Sequence, residues 1–253
     1  MTRSRAVALT RIAVIAGAVA LLEWLCRAKI INPLTLVPPS EMAVHLVSLL
    51  ASGEIGGDLA YTGSTIATAL ASSIVLGFAL GAIVHALPRM RRALDPLLAS
   101  YYSIPSFIFY PLLVAIFGLN SIPLILLGMA FGVPAMMMAT MNGLDRVPRV
   151  LIKTARIHRL GPLQATLRIV LPSAAPYLFT GMKLALAYAF IGIIAGEFIL
   201  ASAGLGHSIA RAYESFDNRG MYALMLLVLS IVLVMNTVLH VWEGRLMRRR
   251  ARA

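Results

Sequence analysis

Apolar runs of roughly 20 residues, separated by short polar stretches, constrain this chain more than any other feature. A helix of about 20 apolar residues crosses the ~30 Å hydrocarbon layer of a bilayer. Six such runs fall at about residues 7–28, 62–86, 97–117, 123–141, 177–200 and 222–241. Composition agrees: 60% of the 253 residues are hydrophobic and 13% charged, where a soluble domain carries about 25% charge. The expected fold is all-α, a polytopic membrane helix bundle of about six transmembrane helices in a single domain, 1–253. The alternative for the N-terminus is a cleaved signal peptide. The first run, however, continues past Ala20 into Leu21-Leu22 and Trp24-Leu25 without a clear cleavage site, which favours a first span.

The net charge of +12 raises nucleic acid as a partner. Placement argues against it, because the basic residues cluster in loops between apolar runs. Of the 22 lysines and arginines, Lys183 lies inside a run, and Arg27, Lys29, Arg211 and Arg219 fall on one side of the six-span arrangement. The remaining seventeen share the other side, which by the positive-inside rule is cytoplasmic and holds both termini. The single cysteine, Cys26, cannot form an internal disulfide and has no metal-ligand cluster around it.

The longest polar stretch, 143–175, lies on that basic side. The pattern predicts an amphipathic helix over 146–159. Asp145 is placed as its cap, Pro148 in its first turn, and Gly161-Pro162 at its end. Val147, Val150, Leu151, Thr154, Ala155 and His158 share one face; Arg146, Arg149, Lys153, Arg156 and Arg159 share the other. The first face is expected to dock into a groove, with small Ala155 at its centre. A second short helix starts at Pro162 and stops near Leu171-Pro172, and the next span begins around Pro176. His158 has no second ligand at metal spacing, so packing explains it best.

Elsewhere, Asn32-Pro33 and Pro38-Pro39 punctuate a loop. Ser40 is an expected N-cap for a helix over 41–50, which Ser52-Gly53-Glu54 closes. Gly77 and Gly81 form a G-x-x-x-G pair that permits close helix approach. Pro105 and Pro111 predict a kinked or broken third span. The methionines at 129, 136, 137, 138 and 141 suit adaptable packing, with substrate contact as the alternative. Glu23, Lys183 and Glu197 are charges within or near spans, a costly placement. Glu197 follows Lys183 by fourteen residues, ~21 Å along a helix, so they cannot pair. Lys183 is expected to snorkel to the headgroups. Glu197 either holds the loop 201–206 or acts at a gate.

These residues together resemble a known family, the permease subunit of binding-protein-dependent ABC importers of the nitrate/sulfonate/taurine type. Ala155 precedes Pro172 by 17 residues, the spacing of that family's Glu-Ala-Ala loop and Leu-Pro pair. Leu171-Pro172, Pro176, Gly181, Gly196-Glu197 and Gly204-Leu205-Gly206 match as they stand. Lys153 departs from the family's usual Glu and Arg159 from its usual Gly, with Gly161 two residues late. The resemblance implies that Val147, Leu151, Lys153, Thr154, Ala155, Arg156, His158, Arg159 and Gly161 couple to an ATPase. Tyr101, Pro105, Met137 and Glu197 are the candidates for the translocation path. The resemblance further implies a second copy of the permease, two ATPase subunits holding ATP and Mg, an external substrate-binding protein, and a bacterial inner membrane location.

The chain itself has no G-x-x-x-x-G-K-[ST] phosphate loop, no recognisable nucleophile pattern and no expected bound cofactor. The family carries nitrate, organosulfonates and similar anions, and also thiamine-precursor pyrimidines. Two other readings stay open. An intramembrane enzyme has only Asp95, Tyr101 and Tyr102 to draw on, and an ion-driven transporter only the carboxylates Glu23 and Glu197.

Overall fold

A computed structural model describes the backbone of residues 2–32 and 35–250. Pro33 and Arg252 lie outside the described residues, as do the side chains of Arg3, Arg5, Tyr102, Arg245 and Arg248–Arg250. Every regular element among the described residues is a helix. They run α1 (Thr2–Arg27), α2 (Pro39–Ser52), α3 (Gly56–Ala86), α4 (Pro88–Ser100), α5 (Tyr110–Phe117), α6 (Ser121–Asp145), α7 (Arg149–Ile157), α8 (Pro162–Ala165), α9 (Leu171–Leu200), α10 (Leu205–Glu214) and α11 (Asn218–Arg250). Four helical stretches among the described residues are long and apolar enough to span a bilayer: Gly56–Ala86, Ser121–Asp145, Pro162–Glu214 and Asn218–Gly244. The chain is a polytopic helical bundle.

The bundle is built on α3, α6 and α9. Lipid gives helices no hydrophobic reason to associate, so close backbone packing through small residues must do it. A Cβ at Gly77 would lie 2.6 Å from Met136 Cβ, and one at Gly81 2.7 Å from Thr140 Cβ. The expected G-x-x-x-G face is thus the α3–α6 seam. Gly132 meets Ser73 across the same seam, and Gly181 brings α9 against Ala139. Met136, Met137 and Met141 are buried between these helices and pack the core, whereas Met129 and Met138 are half-buried.

The expected third span is broken. Its sequence becomes α4, two short 3-10 turns (Tyr101–Ser103 and Ser106–Phe109) and α5, with Pro105 between the turns. Proline lacks an N–H and disfavours helix in the residue before it. Tyr110 then fixes α5 to the far end of α9 by donating to Leu200 O at 2.6 Å.

Two expectations about helix ends are corrected. Ser40 does not cap α2 with its own side chain; its N–H and hydroxyl both donate to Glu23 on α1, at 3.0 and 2.6 Å. The carboxylate of Glu23, also held by Arg27 at 2.6 Å, therefore caps α2 from a neighbouring helix. The helix from Pro162 does not stop at Leu171-Pro172 either. It passes through a π turn at Thr166–Val170 straight into α9. The wider turn rearranges the backbone ladder where Pro172 contributes no N–H, so helix continues past it.

Candidate functional site

Two features carry the family-like residues: the basic loop with α7, and the Gly-Leu-Gly turn between α9 and α10.

α7 is shorter than expected. It begins at Arg149 with Pro148 as N-cap, and no side chain caps it. Asp145 does not cap it. That residue ends α6 and accepts two hydrogen bonds from Arg91, at 2.7 and 2.5 Å. The face assignment is also corrected. Val147 is 6% and Ala155 4% exposed, because this face turns inward. Ala155 borders a cavity of about 360 Å³ shared with Leu160, Ala165, Ile169 and Val170. The face left open is Val150 at 71% and Ile157 at 79% exposed, with exposed Thr154 between them. Spacings i, i+4 and i+7 put these three on one side. Leu151 is exposed at the edge, and Lys153, Arg156, His158, Arg159 and Gly161 are exposed too. An α-helical wheel fixes which residues lie together, but the centre of the inward face depends on the element packed against the helix.

Arg159 has φ of +51°. It occupies the left-handed position just after the helix C-cap, His158, where glycine is favoured. This explains physically why a glycine suits the position. Arg159→Gly is expected to remove roughly 1 kcal/mol of backbone strain. Slower amide exchange in the last turn of α7 would show it; faster exchange would contradict it.

The turn after α9 is a buried polar knot. Glu197 has no exposed surface. Its carboxylate accepts from Thr62 Oγ1 at 2.9 Å and from Gly206 N at 2.9 Å. Thr62 Oγ1 in turn accepts from Leu205 N at 2.8 Å. Asp58 accepts from Gly204 N at 2.9 Å and from the Ser208 hydroxyl. Three backbone N–H groups at the start of α10 are thus satisfied by side chains from α3 and α9. Two carboxylates meet the positive end of the helix. Glycine is required because of this closeness. A Cβ at Gly204, which has φ of +110°, would fall 2.5 Å from Glu197 Oε1; one at Gly206 would fall 2.5 Å from Ile194 O. Of the two roles weighed for Glu197, the geometry supports holding the loop.

The other path candidates are dispersed. Tyr101 is half-buried and donates to Ala130 O at 2.8 Å. Pro105 is exposed. Met137 is packed with Val84 and Met141. Lys183 does not simply snorkel; it meets Glu243 of α11 at 2.6 Å. Leu171 and Pro176 are half-buried, Pro172 is exposed, and Gly181 is buried at the α9 seam. Asp58, Thr62, Arg91 and Glu243 escaped sequence reasoning. Their partners lie 54 to 150 residues away, and no local period reports such pairs.

Comparison with known proteins agrees with this architecture. The chain is 30% identical over 174 residues to the glycine betaine/proline betaine transport system permease protein ProW of Escherichia coli, covering 68% of this chain and 49% of that protein. It therefore spans about half the length of that relative. It is 26% identical to the taurine transport system permease protein TauC of Escherichia coli over 90% of this chain and 86% of that one. It is 27% identical to the nitrate import permease protein NrtB of Leptolyngbya laminosa over 65% of this chain and 59% of that one. An inward-facing structure of the MetNI methionine ABC transporter shares the fold, with a TM-score of 0.59 and 21% identity over 74% of this chain and 94% of that one. Residues 73–252 match the family of binding-protein-dependent transport system inner membrane components, and the chain belongs to that family of ABC transporter permeases.

Proposed function

We propose that this chain is the permease subunit of an ABC importer, and that it forms the path for a small solute, an organic sulfonate, nitrate or similar anion. An external binding protein delivers the solute, and a separate ATPase subunit supplies the energy. A pair of these chains, a pair of ATPase subunits with ATP and Mg, and the binding protein make up the assembly. The observation that carries this reading is α7, which presents Val150, Thr154 and Ile157 outward on the basic side while its other face is seated on its own chain. A short helix with exposed apolar anchors suits a groove on a partner. Its seat lies on the π turn that runs unbroken into α9, so force on α7 reaches a membrane-spanning helix directly. Residues 143–175 are the coupling loop in this reading. The alternative reading is the same importer architecture with a thiamine-precursor pyrimidine or other small organic compound as solute; relatives named for taurine, nitrate and betaine all match, so the family's architecture is not tied to one solute.

The test is purification from native membranes. A nucleotide-binding subunit is expected to accompany the chain, and the chain alone is expected to hydrolyse no ATP. Steady hydrolysis by the isolated chain, contaminants excluded, would overturn the reading. The ligand retained by the co-purified binding protein identifies the solute.

The proposed site of action is the bacterial inner membrane, with both termini in the cytoplasm. In sealed cells, membrane-impermeant thiol reagents are expected to label cysteines placed at Glu54 and Asp217 but not at Arg156. Labelling at 156 would reverse the orientation.

A further inference from the structure

The junction between α6 and α7 is tied to two different parts of the bundle by adjacent residues. Asp145, the last residue of α6, receives both arms of the Arg91 guanidinium from α4, at 2.7 and 2.5 Å. His85, at the end of α3, places Nδ1 3.2 Å from the same carboxylate, and Asp95 lies 3.8 Å from Arg91 Nε. The next residue, Arg146, stacks over the Tyr177 ring of α9 at 5.3 Å and donates to its hydroxyl at 3.5 Å. Three residues later α7 begins.

We propose that Arg91 is a positioning residue for α7: by gripping Asp145 in a two-armed bond, it fixes where the coupling helix leaves the bundle. The geometry suits this role. A guanidinium–carboxylate fork defines direction as well as distance, which a single point charge does not. The pair is only partly covered, with side-chain exposures of 25% and 39%, so its contribution to global stability is small. Its position is what matters. Between Asp145 and Arg149 there is no regular helix to carry rigidity, and α7 is otherwise held by Arg146 on Tyr177 of α9 and by its seat on the turn at 166–170. Without the grip, α7 keeps that seat, but its tie to the α3–α4 corner falls to the single His85 contact. That corner leads through the broken third span, so the strut links α7 to a second membrane element besides α9. The importance of this link for transport rests on the proposed coupling role of α7; the strut itself does not.

Hydrogen exchange on the purified chain in lipid nanodiscs tests it, without nucleotide or partner subunits. Arg91→Met keeps length and removes charge, and Asp145→Asn keeps shape and removes charge. Each is expected to speed exchange of amides 146–158 about fivefold, the scale of a partly exposed pair, with residues 185–197 of α9 unchanged. Arg91→Lys, which keeps the charge but not the fork, is expected to recover only part of the protection. Unchanged exchange over 146–158 in both single variants would overturn the proposal. So would a uniform rise across the whole chain, which marks general destabilisation. None of these outcomes bears on whether an ATPase co-purifies, so the strut and the permease reading fail separately.

Discussion

Glu197→Ala is expected to lower the unfolding temperature of the purified chain by roughly 10 °C. The carboxylate is fully buried and takes hydrogen bonds from Thr62 Oγ1 and Gly206 N. Truncation removes a buried acceptor and leaves those donors inside the protein with nothing to bond. Bonds to a charged group contribute about 1.5–3 kcal/mol each in water-soluble proteins, but interhelical bonds in membranes average about 0.6. Taking the membrane scale for two bonds and adding the stranded donors gives about 3 kcal/mol. In a chain of this size 1 kcal/mol moves the midpoint by about 2–4 °C. Glu197→Gln keeps one acceptor oxygen and is expected to lose less than half as much. Thr62→Ala is expected to be non-additive with Glu197→Ala, because both act on one network. Thermal unfolding monitored by circular dichroism reads all three. An unchanged midpoint in Glu197→Ala would mean that the knot does not hold the α9–α10 turn. Gly204→Ala should fail in the same direction, since its Cβ would need the space of the Glu197 carboxylate.

The second large effect concerns α7. Val150→Asp and Ile157→Asp place a charge on residues already 71% and 79% exposed. Folding is therefore expected to be untouched. Recovery of the ATPase subunit with the chain is expected to fall at least about tenfold, because an apolar anchor in a groove is replaced by a charge that must be desolvated. Ala155→Trp is the informative contrast. Its side chain would enter the cleft towards Ala165 and Ile169 rather than meet a partner. It is expected to alter exchange in residues 162–170 and to reduce ATPase recovery less than either aspartate variant. Full ATPase recovery with both Val150→Asp and Ile157→Asp would remove α7 from the coupling role. A larger loss with Ala155→Trp than with Ile157→Asp would restore the opposite face as the docking surface.

Much of the molecule is written in local pattern. Apolar runs of span length and their basic loops fix an all-helical membrane protein, because each backbone N–H in lipid must be bonded within its own helix. Pro105 marks the break in the third span, Gly77 and Gly81 the α3–α6 seam, and the array from Leu171-Pro172 to Gly206 the family. The strain at Arg159 is not legible in the sequence, which shows only a departure from the family's glycine; its φ of +51° is a finding of the structure. What tertiary structure alone decides is which groups meet across long sequence separations. Glu197 finds Thr62, 135 residues away; Asp145 finds Arg91 rather than its own helix N-terminus; Lys183 finds Glu243. Ala155 and Val150 share an amphipathic stripe in sequence, yet the π turn beyond α7 turns one inward and leaves the other open. Helical periodicity sets which side chains are neighbours on a helix, but the packing of the next element sets which of them are covered.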